Sequence, residues 1–67
     1  MEANVLGKKI LVTHPTDEHI FIKDKTCTVV GMDLSNDQYI VKTPVVAKNG
    51  TQIVARLNRN EFETEEE

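Results

Sequence analysis

Lys42-Thr43-Pro44-Val45-Val46-Ala47-Lys48-Asn49-Gly50-Thr51-Gln52-Ile53-Val54-Ala55-Arg56-Leu57 sets an Asn-Gly pair between two β-branched runs. Asn tolerates positive φ and Gly adopts it without steric cost. The pair therefore predicts a two-residue type I′ turn whose twist suits the flanking strands. That loop length dictates a register: Lys48 opposite Thr51, Val46 opposite Ile53, Pro44 opposite Ala55 and Lys42 opposite Leu57. Strand side chains alternate between faces, and this set, which carries most of the apolar atoms, is expected to face the core. The other face then pairs Ala47 with Gln52, Val45 with Val54 and Thr43 with Arg56.

Outward from the hairpin, the chain reads as a succession of short strands. Lys8-Lys9-Ile10-Leu11-Val12-Thr13-His14 has the β-branched content of a first strand that Pro15 stops. Residues 1–7 before it read as a loose arm. Thr16 to Lys25 is polar at both ends with an apolar centre, which predicts a long loop anchored on the core by Ile20 and by Ile22 or Phe21. Thr26-Cys27-Thr28-Val29-Val30-Gly31-Met32-Asp33 reads as a second strand with a bulge or bend at Gly31. After a turn at Leu34-Ser35-Asn36-Asp37, a third strand starts at Gln38. It runs on through a kink at Pro44, because proline cannot donate to a ladder but is accepted at a bulge or an edge. Asn58-Arg59-Asn60 predicts one tight helical turn, and Glu61-Phe62-Glu63 a short last strand with Phe62 pointing inward. No helix-period segment of useful length is present.

Sixty-seven residues make one domain, near the size at which a core must support itself without a disulfide, and the single cysteine, Cys27, excludes an internal one. The start of the chain lacks the basic and apolar segments of a secretory leader, and no run is long enough for a membrane helix, so a cytoplasmic setting is expected. The net charge of -3 conceals an asymmetry. Five of the 11 acidic residues lie in the last seven positions, leaving 8 basic against 6 acidic in residues 1–60. The body is weakly basic, and residues 64–67 read as an acidic, solvated tail.

Five short strands, a long first loop, a central meander and a one-turn spacer predict an all-β fold, a small five-stranded barrel whose closure hides its edges. The order of residues resembles SH3-like small barrels of the KOW type, through Lys8-Lys9-Ile10-Leu11-Val12, Thr26 to Asp33, Tyr39-Ile40-Val41 and Asn60-Glu61-Phe62-Glu63. The likeness covers most of residues 8–63. The glycine that commonly opens the second strand of such barrels is replaced here by Cys27 or an adjacent residue.

Catalytic chemistry finds little support. His14-Pro15-Thr16-Asp17-Glu18-His19 places two imidazoles and two carboxylates within six residues, but the spacing is not that of a helical His-Glu-x-x-His pair, and a solvated loop without metal is expected. Cys27 reads as a small core hydrophobe rather than a nucleophile. No serine elbow or phosphate loop is present. The chain is expected to be no enzyme and to need no cofactor. The polar side of the hairpin instead predicts a partner-binding surface: Thr43, Gln52 and Arg56, with Val45 and Val54 between them, Arg59 just beyond and Tyr39 as a stacking group. The expected function is a non-catalytic binding module that docks on a protein or a protein and nucleic-acid assembly. Two other functions suit the same features. One is a small phage-type or mobile-element inhibitor of a host enzyme whose acidic tail imitates phosphates. The other is a barrel that binds single-stranded nucleic acid through its basic groups.

Overall fold

The computed structural model describes residues 3–65. Five antiparallel strands form one sheet: β1 (Lys9–Val12), β2 (Thr26–Asp33), β3 (Gln38–Val46), β4 (Gln52–Leu57) and β5 (Phe62–Thr64). Their spatial order is β4-β3-β2-β1-β5. Three 3₁₀ segments complete the fold, η1 (Ala3–Val5), η2 (Asp17–Ile22) and η3 (Arg59–Glu61). The fold is therefore all-β, with the second strand and the turn after it at the predicted residues.

The sheet has no second layer to cover its apolar face, so it curls over that face itself. Ile10, Val12, Cys27, Val29, Tyr39, Val41, Ala55, Leu57 and Phe62 from all five strands share one core with Val5 and Ile22. In a flat sheet, three strand spacings would separate β3 from β5, roughly 14 Å. Yet the rings of Tyr39 and Phe62 meet edge to face with centroids 5.4 Å apart. The curl does not close the ladder. Among the described residues none joins β5 to β4, and η3 connects the two strands in its place.

A bulge helps the sheet bend. Val29 pairs with Val41 but Gly31 pairs with Ile40, so Val30 is the extra residue of β2 and the parity of the strand changes there. Cys27 and Val29 face inward before it, and Met32 packs on the core after it.

The hairpin differs from the predicted one by a single loop residue. Ala47 N–H donates to Thr51 C=O at 2.8 Å and Gly50 N–H to Ala47 C=O at 2.9 Å. Of Asn49 and Gly50, only Gly50 has positive φ, at +87°. This is a three-residue loop, a type I turn closed by a left-handed glycine, rather than type I′. One added loop residue turns an odd register into an even one and flips one arm of the hairpin relative to the other. The fourth strand faces as expected, with Ala55 and Leu57 buried and Ile53 half-buried, whereas the third is reversed. Thr43 and Tyr39 are in the core at 0% and 2% exposure, Val45 packs against it, and Lys42, Pro44 and Val46 face solvent.

Pro44 lies in a wide interruption of the β3–β4 ladder, between the pairs Lys42↔Val54 and Val46↔Gln52. The missing rungs are replaced by side chains. Thr43 Oγ1 donates to Ile53 C=O at 2.8 Å and accepts Val45 N–H at 3.2 Å, while Gln52 Nε2 donates to Thr43 C=O at 2.7 Å. The kink predicted from proline is present, and Thr43 is what makes it tolerable in a buried strand.

The first residues are not a loose arm. Val5 is buried in the core, Lys8 N–H donates to Val5 C=O and Gly7 N–H to Val29 C=O. The end of the chain is likewise built into the sheet as far as Glu65: Thr64 pairs with Ile10, Glu65 N–H reaches Lys9 C=O at 3.3 Å, and Thr26 Oγ1 donates to Glu65 Oε2. Of the expected arm, Met1 and Glu2 lie outside the described residues, as do Glu66 and Glu67 of the expected tail.

Candidate functional site

The solvent face of β2, β3 and β4 gathers the side chains that the sheet does not bury. Register aligns Thr28 with Lys42 and Lys42 with Val54 in one row, and Gly31 with Ile40 and Ile40 with Arg56 in the next. Val54, Val46 and Val30 are 54%, 57% and 50% exposed. They surround two cations, Lys42 and Arg56. Arg56 Nε lies 3.2 Å from Asp33 Oδ2. The Asp33 carboxylate is held below its usual range chiefly by the Asn36 side-chain amide, working against partial desolvation, with further bonds from Ser35 and Asn36 N–H and the charge of Arg56. An apolar strip carrying two fixed positive charges can cover apolar surface on a partner while pairing with its carboxylates or phosphates.

Of the residues predicted for the binding surface, the structure brings Gln52, Val54 and Arg56 to this face. It withdraws Thr43, Tyr39 and Val45 to the core side for the register reason above. Arg59 is only partly exposed: its guanidinium lies 4.8 Å from the centre of the Phe62 ring and Nη1 donates to Phe62 C=O at 3.0 Å. It braces β5. Lys42, Val46 and Val30 were missed by the sequence reading. The signal that was available is that Lys48-Asn49-Gly50 fits a three-residue loop as well as Asn49-Gly50 fits a two-residue one.

The second cluster of functional groups surrounds Glu61, which is buried at 1% exposure. A 3₁₀ segment repeats every three residues, so Thr16, His19 and Ile22 line one side of the η2 region. Ile22 fills the core, Thr16 N–H donates to Glu61 Oε1 at 3.1 Å, and His19 Nδ1 lies 3.0 Å from the same oxygen. Oε2 accepts Asn58 N–H at 2.8 Å in a capping box at the start of η3. The Glu61 carbonyl takes the N–H groups of Thr13 and His14. Burial opposes the charge of this carboxylate, but the Asn58 and Thr16 N–H groups together with His19 outweigh it and hold its pKa below the usual range. The same periodicity turns Ile20 and Phe21 outward, 56% and 42% exposed, so Ile22 alone is the anchor.

His14, Asp17, Glu18 and His19 do not converge. His14 Nδ1 meets Thr13 Oγ1 at 3.1 Å and His19 turns to Glu61, and among the described residues no group of three His, Cys, Asp or Glu side chains is placed to hold a metal ion. Cys27 is buried, and burial pushes its thiol pKa up, away from the thiolate that a nucleophile needs. No helix of the described residues is long and apolar enough to cross a membrane. No protein-family model matches the chain, and no curated protein or solved structure matches it significantly.

Proposed function

We propose that this chain is an SH3-like small barrel of the KOW type that acts without catalysis, as a binding module docking on a protein or a protein and nucleic-acid assembly through the outer face of β3 and β4. The observation that carries the reading is the exposed strip of Val30, Val46 and Val54 around Lys42 and Arg56 on one sheet face. Support for the barrel type comes from the strand order, the curl and the one-turn spacer before the last strand. A thiol whose pKa is raised by burial and a His-rich segment whose groups are engaged singly favour contact over chemistry.

The test is affinity capture from the native host, comparing the wild type with Lys42→Glu/Arg56→Glu and with Ile20→Ser/Phe21→Ser on the opposite loop. Partner recovery is expected to fall at least about tenfold for the charge reversal, as loss of two complementary contacts implies, and to hold for the loop variant. The reverse pattern would move the docking surface to η2. Recovery that collapses between low and physiological salt would identify phosphates as the chief contact.

A further inference from the structure

The two edges of the sheet are treated differently. β5 is three residues long, carries Glu63 beside Glu65, and has its Phe62 carbonyl taken by Arg59. Short length and charge are how sheets guard an edge. β4 has six residues, Gln52–Leu57, without lysine, proline or a bulge of its own.

The direction of its peptide groups follows from alternation. Val29 spends both its N–H and its C=O on the β1 side, at Lys8 and Gly7. Thr28 therefore turns to β3, Lys42 back to β2, Val41 to β4 and Ala55 to β3. The Ile53 carbonyl agrees, since it accepts from Thr43, and so does the Thr51 carbonyl, which accepts from Ala47. Gln52, Val54 and Arg56 are left with peptide groups aimed at the open edge.

We infer that this edge pairs with the β4 strand of a second copy of the chain, antiparallel about a two-fold axis at Val54, joining two sheets into one. Of the registers that alternation permits, this one engages all three outward residues: Val54 opposite the partner's Val54, and Gln52 opposite the partner's Arg56 in both directions. A shift by one pair in either direction sets Arg56 against Gly50 or Gln52 against Asn58, and a two-fold axis at Arg56 sets like charges together. In the chosen register the carboxamide of Gln52 meets a guanidinium already neutralised by Asp33, and two half-exposed valines cover each other. On the order of six inter-strand hydrogen bonds form. The contact is small, and its dissociation constant is expected on the order of 0.1 mM.

Sedimentation velocity of the purified full chain, from about 0.01 to about 1 mM to bracket that constant, is expected to show a monomer passing to a dimer. Amide resonances of Gln52, Val54 and Arg56 should shift with concentration while those of Ala55 and Leu57, already bonded within the sheet, stay. Val54→Pro removes one outward N–H without touching the β3 ladder, and Val54→Lys adds the missing guard on an exposed site. Each is expected to weaken the dimer at least about tenfold with the fold retained. A monomer throughout the range, a dimer indifferent to both variants, or concentration-dependent shifts at Phe62–Thr64 instead of β4 would each overturn the inference. So would a monomer whose β4 amides respond only to an added extended peptide. The assay contains no other partner, so its failure leaves the proposed docking face standing.

Discussion

Thr43 and Glu61 are the two polar side chains buried among the described residues, and each sits where backbone pairing is interrupted. Thr43 bridges the gap beside Pro44, and Glu61 bridges the turn between β4 and β5. Both take over peptide groups that would otherwise be stranded away from water, and no buried side-chain nitrogen or oxygen among the described residues lacks a partner. They differ in kind. A neutral hydroxyl stitches two neighbouring strands, whereas an ionised carboxylate gathers Asn58, Thr16 and His19 from two segments far apart in sequence. The first repair is local and indifferent to pH; the second is global and titratable.

The largest effect is expected at the carboxylate. Glu61→Ala leaves three donors without an acceptor and should cost about 2–4 kcal/mol in urea denaturation, with Glu61→Gln losing less because it keeps one oxygen. The dependence on pH sharpens the contrast. The folded pKa of Glu61 lies below the unfolded value, so its contribution is full above the ordinary glutamate range near 4.3 and is lost as pH falls through the lower folded value. The penalty of Glu61→Gln should therefore shrink between about pH 5 and pH 3. A constant penalty across that range would show that charge is not what Glu61 supplies. Thr43→Val keeps the shape but strands Ile53 C=O and Val45 N–H, at a cost of about 1–3 kcal/mol that should not vary with pH. Gly50→Val, at the one left-handed position of the hairpin loop, is expected to cost about 1–2 kcal/mol, since a β-branched residue is strained there. An unchanged denaturant midpoint in that variant would contradict the three-residue loop.

The two repairs were unequally legible in the sequence. β-branched runs and punctuating residues are local signals, which is why Thr26 to Asp33, the turn after it and the kink at Pro44 are readable without a structure. Which face of β3 is buried depends on whether the loop has two residues or three, and Lys48-Asn49-Gly50 satisfies both. The Thr43 site was consequently placed on the wrong side together with Tyr39 and Val45. Half of the binding face was still found, because Gln52, Val54 and Arg56 belong to the arm whose parity did not flip. Glu61 was grouped with the acidic end of the chain. Its role depends on Thr16 and His19, some forty residues earlier, and only the pairing of β1 with β5 brings them together.

That pairing has a kinetic consequence. The β2–β3–β4 meander is made of neighbouring strands and closes small loops, whereas Thr16 and Glu61 are 45 residues apart, and bringing such ends together costs more chain entropy before any contact repays it. The meander is thus the natural nucleus, and the knot at Glu61 is tied last. Interactions formed after the barrier act on escape from the native state rather than on its attainment. Loosening the knot will shorten the lifetime of the folded chain while leaving the time it takes to fold almost unchanged.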